Sequence, residues 1–147
     1  IHICLLANYK DEVIGTIIVT KDLEKTNKIL RNLISSPALF YILKAVILGK
    51  VTVAELIRRF WFERIILRRF SRPYASILTL FVTRNHQRRG VGSLFVQNMI
   101  RELKRDRINR VHVDTLKSNK KALLFYQSLG FSIKDTISDS VVLEKQI

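Results

Sequence analysis

Gln87, Gly90 and Gly92 stand in the stretch NHQRRGVG at residues 85–92, between the apolar run ILTLFV and the helical pattern SLFVQNMIREL. A glycine-rich turn that opens a helix points several unpaired backbone N–H groups at one place. Glycine lets that backbone approach an anion with no Cβ in the way, and the helix dipole adds partial positive charge. The chemistry such a turn offers is capture of a pyrophosphate. It is neither of two common phosphate loops, because G-x-x-x-x-G-K-S/T and G-x-G-x-x-G are both absent from the chain. By itself, Gln87-x-x-Gly90-x-Gly92 also fits a plain glycine turn.

The elements that must position this turn follow from periodicity. ICLLANY (3–9) and VIGTIIVT (13–20) are β-rich runs joined by a short polar turn, which predicts a hairpin. YASILTLFVT (74–83) is apolar almost throughout and predicts a central strand. From Gly92 to about Arg107, the residues Phe95, Val96, Met99, Ile100 and Leu103 recur at helical spacing on one face. RVHVDT (110–115) predicts the next strand, NKKALLFYQSL (119–129) a helix closed by Gly130, and FSIKDTIS with SVVLEKQ a terminal strand pair. Strand, helix, strand in that order predicts a parallel core pair with a helical crossover.

A second motif then meets the first. LFVTRNHQRRGVGSLFVQNMI resembles the acyl-CoA-binding segment of the GNAT superfamily of N-acyltransferases, which carries Q/R-x-x-G-x-G/A between a strand and a helix. Downstream, NKKALLFYQSLGF is similar to that family's N-x-x-A-x-x-F-Y-x-x-x-G-F segment, with Asn119, Ala122, Phe125, Tyr126, Gly130 and Phe131 on its marked positions. Two motifs in the right order are far more specific than either alone. The resemblance spans residues 75–147, extends to the hairpin at 1–20 and leaves 22–72 uncovered.

The resemblance implies a mixed α/β (α+β) fold: a GNAT-like central twisted sheet with flanking helices and an inserted helical pair at about 22–72, in one domain of residues 1–147. It implies transfer of an acetyl or other acyl group from acetyl-CoA to a primary amine. No metal is expected, and the single cysteine leads to an expected place in the cytoplasm. The resemblance also implies a set of site residues. Main-chain groups of Leu80, Phe81 and Val82 would pair with the pantetheine arm. The amides of Gln87, Arg88, Arg89, Gly90, Val91, Gly92 and Ser93 would cradle the pyrophosphate. Asn119 would hydrogen-bond the pantetheine region, and Tyr126 would protonate the departing CoA thiolate. Without the resemblance, Asn119 is equally a helix N-cap and Tyr126 an ordinary core aromatic.

Direct attack on a thioester needs a neutral amine, hence a proton acceptor, and donors aimed at the oxyanion, for which the Val82 N–H is a candidate. Many relatives carry a glutamate on or near the strand before the loop, yet YASILTLFV contains no acid. Asp114 and His112 on the following strand and Glu12 on the hairpin are candidate bases, while His86, beside the loop, is placed to meet solvent or CoA. Among these the sequence assigns none.

Charge adds a constraint. Twenty-six Lys and Arg against twelve Asp and Glu give +14 in 147 residues, and no acid falls between Glu63 and Glu102. Such a field attracts polyanions, whether nucleic acid, anionic lipid or a phosphorylated cofactor. The alternative to an enzyme is therefore a non-catalytic basic module that binds nucleic acid or an anionic membrane surface. No helix-turn-helix, zinc-finger or RNP pattern supports specific nucleic-acid binding. No run of 18 apolar residues crosses a membrane, and the single cysteine, Cys4, excludes an internal disulfide and fits a reducing compartment. The first residue is Ile1 and not Met, which fits a start inside a longer polypeptide.

Residues 22–72 read as helices, with breaks at SSP (35–37) and at GKVT (49–52), and hold eleven Lys and Arg against four Asp and Glu. The stretch IRRFWFERIILRRF within them fits a lid over the acceptor, a homodimer interface or a basic membrane-surface helix. Because this insert leaves and returns at adjacent points, strands 13–20 and 76–82 are expected to pair.

Overall fold

The structure is a computed structural model that describes residues 2–22, Lys25 and residues 74–147. The chain divides into two compact units, residues 1–22 with 73–147, and residues 23–72. The helices expected between 22 and 72 lie outside the described residues.

The first unit is built on six strands: β1 (His2–Tyr9), β2 (Glu12–Thr20), β3 (Ala75–Val82), β4 (Arg110–Leu116), β5 (Ser132–Ile137) and β6 (Ser140–Gln146). Two helices accompany them, α1 (Val91–Arg105) and α2 (Lys120–Ser128), with a 3-10 turn at Arg84–His86. The strands form one sheet in the order β1-β2-β3-β4-β6-β5. Only β3 and β4 run parallel, with α1 as the crossover, as the strand-helix-strand order requires. The expected pairing of β2 with β3 is present and antiparallel, from Gly15↔Val82 to Thr20↔Ser76.

Alternation builds the core. Ile17, Val19, Ala75, Ile77, Val111, Val113, Val141 and Leu143 point to one face of the sheet, where α1 lays Phe95, Val96, Met99 and Leu103 against them. Tyr126 and Phe131, at the end of α2, join the same cluster. α1 stops at Arg105, two residues before the sequence expectation. The Asp106 N–H turns back to the Glu102 and Leu103 carbonyls, and Arg107 takes a left-handed φ of 58°. At the other end of the cluster Gly15 permits close contact. A Cβ there would stand 2.7 Å from the Phe81 carbonyl oxygen and 3.0 Å from the Phe95 ring.

One irregularity organises everything that follows. β3 and β4 are paired only at Ala75↔Val111, Ser76↔His112 and Ile77↔Val113. Immediately beyond, the β2–β3 register shifts between Ile18 and Val19, so that Leu78 is an extra residue on β3. A bulge bends a strand and increases its twist. From Leu78 onward β3 leaves β4, and the two strands become the arms of a fork.

Candidate active site

The turn after β3 sits at the mouth of this fork. Gln87 anchors it, since its side-chain Nε2 donates to the Val82 carbonyl at 2.9 Å and its backbone N–H to Arg84 at 3.4 Å. Arg88 (φ 61°) and Gly90 (φ 83°) both take left-handed backbone. Gly90 is the N-cap of α1; no side chain caps the helix, and its first turn holds no acid. The first α1 amide with an intrahelical acceptor is that of Leu94, which donates to Gly90 at 2.9 Å. The amides of Val91, Gly92 and Ser93 therefore head the helix ahead of the first amide with an intrahelical acceptor. A Cβ on Gly90 would meet nothing within 4 Å, so the space above this turn is open. The Arg88 and Arg89 side chains are exposed beside it.

The strand residues divide differently from the expectation. The Thr83 N–H donates to Ile14 on β2 at 2.8 Å. Along an extended strand the main-chain directions alternate, so Leu80 and Val82 face the fork while Phe81 faces β2. The Phe81 main chain thus lies on the β2 side, and the Val82 carbonyl is already engaged by Gln87. The Gln87 amide is likewise held by the 3-10 turn, which makes Gln87 a residue that positions the loop.

Asn119 does what its capping reading predicts: its Oδ1 accepts from the Ala122 N–H at 3.2 Å. That leaves the two donors of its amide nitrogen for other use. Tyr126 is 6% exposed, with its ring edge-on to Phe125 at 5.1 Å and to Phe131 at 5.4 Å. Burial, reinforced by the Asp114 carboxylate, pushes its phenol up to about 12. It is a proton-bearing donor at any ordinary pH. Gly92 brings α1 against α2 here, since a Cβ on it would stand 3.1 Å from Phe125 Cζ.

Of the candidate bases, His112 has the most developed surroundings. It lies on β4 at the last paired stretch before the arms part, and only 2% of it is exposed. Its Nε2 is 2.7 Å from Glu144 Oε2, across the β4–β6 pairing, and Lys134 Nζ approaches the other carboxylate oxygen at 3.4 Å. The Tyr74 ring lies against the imidazole with centroids 4.7 Å apart. Burial lowers the His112 pKa, and Glu144 opposes that only in part. Burial also raises the Glu144 carboxyl, but the hydrogen bond and charge of His112 together with Lys134 outweigh it and hold the group below its ordinary value. A neutral imidazole donating Nε2–H to this carboxylate keeps Nδ1 as its basic nitrogen. Tyr74 and Glu144 were not singled out in the sequence. The available signal was a single acid in the apolar run VVLEK, opposite a histidine in RVHV.

His86 is turned elsewhere, with Nδ1 3.1 Å from Thr83 Oγ1 and its ring 5.4 Å from Tyr9. Glu12 is exposed at the start of β2, on the far side of β3 from the fork. Asp114 is exposed on the β4 arm. Among the described residues no group of three His, Cys, Asp or Glu side chains could hold a metal ion. No helix among them is long and apolar enough to cross a membrane.

The buried pair makes acid sensitivity predictable. His112 is held below its ordinary 6.5, so its folded form resists a proton that the unfolded chain accepts. The stability this contributes is complete above pH 6.5 and declines as pH falls through that value toward the folded pKa. Glu144, held below its ordinary 4.5, adds a second loss that sets in as pH falls below that value. Melting temperature should therefore fall in two stages on acidification, and His112→Gln should remove the earlier one.

A parallel strand pair thus splays beside a capless, glycine-led helix N-terminus, with a buried tyrosine on the next helix. The chain belongs to the acetyltransferase (GNAT) family, which it matches over residues 2–131. Among solved structures it is similar to the PaiA N-acetyltransferase of Thermoplasma acidophilum in complex with coenzyme A, at 14% identity and TM-score 0.63, over 99% of this chain and 61% of that one. It is also similar to the ribosomal-protein-S18-alanine N-acetyltransferase of Escherichia coli, at 13% identity and TM-score 0.57, over 99% of this chain and 69% of that one. Naa50 of Arabidopsis thaliana in complex with the bisubstrate analogue CoA-Ac-MVNAL shares the fold at 17% identity and TM-score 0.61, over 98% of this chain and 72% of that one. The chain thus spans about three fifths of the length of the PaiA protein. None of the curated proteins matches it.

Proposed function

We propose that this chain transfers an acetyl group from acetyl-CoA to an amine by direct attack within the β3/β4 fork. The observation that carries the reading is the fork itself, three residue pairs deep and open beyond them, with the amides of Val91–Ser93 at its mouth. Acetyl-CoA supplies an activated thioester. Main-chain groups of Leu80 and Val82 align its pantetheine arm, and the α1 N-terminus with Arg88 and Arg89 holds its pyrophosphate.

The amine nitrogen attacks the thioester carbonyl, the C–S bond breaks and an amide forms. The proton lost by the amine passes to water, because His112 Nδ1 is buried with no exposed surface. Tyr126 donates a hydrogen bond to the sulfur as the thiolate departs. With its phenol near 12, against about 8.5 for a thiol, it stabilises the thiolate and keeps most of its own proton.

The expected result with acetyl-CoA is thermal stabilisation of the folded chain. Ligand at 100 times its Kd adds about 2.7 kcal/mol. An unmoved melting curve at millimolar acetyl-CoA refutes the proposal and favours the non-catalytic basic module.

A further inference from the structure

The face of the sheet opposite α1 carries information about the acceptor. Val82, Ile77 and Val113 join α1 in the core. By strand alternation Phe81 on one arm, and Asp114 and Leu116 on the other, project on the opposite face. Phe81 is 54% exposed and Leu116 46%, while Leu78 at the bulge is 42% exposed. Large apolar side chains thus flank both arms of the fork, in a chain of net charge +14.

On the acetyl-transfer reading above, the loop and α1 hold the acyl donor from the core side, which leaves the opposite face as the approach for the attacking nitrogen. We infer that the acceptor is an amine whose neighbouring substituent is apolar, seated between Phe81 and Leu116, as in the α-amino group of a leucine-like or phenylalanine-like residue. An amino sugar or a polyamine would leave these side chains in contact with hydroxyls or charge. Asp114, exposed on the same face, adds negative charge to it. Phe81 acts through its ring, since its main chain faces β2. The inference rests on the acetyl-transfer reading above.

The test measures kcat/KM for phenylalaninamide, leucinamide, serinamide and glucosamine, with acetyl-CoA affinity measured separately by calorimetry. The first three share one kind of amine and differ in side chain. Phenylalaninamide and leucinamide should exceed serinamide by about tenfold or more, the scale on which apolar contacts discriminate. Phe81→Ser should collapse that ratio while acetyl-CoA affinity stays at the parent value. Equal rates on the three amides, glucosamine as the best acceptor, a ratio that survives Phe81→Ser, or no turnover by a chain that binds acetyl-CoA would each overturn the acceptor assignment. Failure to bind acetyl-CoA would instead overturn the acetyl-transfer reading.

Discussion

On the proposed mechanism, Tyr126→Phe should lower kcat by roughly 10²–10³-fold, the cost of removing one donor aimed at developing charge, and leave acetyl-CoA affinity at the parent value. The substitution isolates the hydroxyl. The edge-on contacts of the ring to Phe125 and Phe131 persist with phenylalanine, so the melting temperature should hardly change. Because burial lifts this phenol to about 12, any alkaline loss of activity from its ionisation belongs near that value. Steady-state kinetics on an acceptor amine, or slow acetyl-CoA hydrolysis in its absence, provides the measurement. A rate within about threefold of the parent would fall below any donor effect of this kind and reduce Tyr126 to a packing residue.

Valine at Gly90 and at Gly92 should separate two effects that the sequence alone treats as one. Both substitutions are expected to weaken CoA binding. At Gly90 the surroundings are open, but φ is 83°, and left-handed backbone costs a β-branched residue about 1–2 kcal/mol. The turn should shift and misdirect the α1 amides. Losing one or two hydrogen bonds to a charged group, about 1.5–3 kcal/mol each, weakens CoA by about a hundredfold with a modest fall in melting temperature. At Gly92 the new side chain meets Phe125 at 3.1 Å, which drives α1 from α2. That variant should lose about 1–3 kcal/mol of stability as well as CoA affinity. Calorimetry and melting curves on both variants distinguish the cases. Parent affinity in Gly90→Val would remove the loop from the site.

The site was legible where its parts are contiguous. Glycines, capping residue and apolar periodicity lie within single stretches, so the loop, α1, α2 and the Asn119 cap could be read from neighbours in the chain. The direction of the Phe81 main chain could not, because one extra residue at Leu78 resets the alternation of β3 against β2. Nor could the partnership of His112 with Glu144, which are 32 residues apart and meet only because β6 inserts between β4 and β5. His112 sits between two valines and Glu144 follows Val141, Val142 and Leu143, a hint that a polar residue is buried, but the identity of the partner depends on strand order. The sheet places a carboxylate behind His112, one of the three candidate bases.

The shallow pairing of β3 with β4 has a consequence for how variation in this chain is felt. β1–β2–β3 and β4–β6–β5 form two panels of the sheet joined by three residue pairs. A ligand lying between the arms supplies part of the seam that the polypeptide omits, so cohesion of the molecule and occupancy by its donor become partly the same quantity. In a living cell the donor pool would then act as a folding chaperone of fixed address. Substitutions far from the fork that loosen either panel would be silent while that pool is full and emerge as lost protein when it runs low.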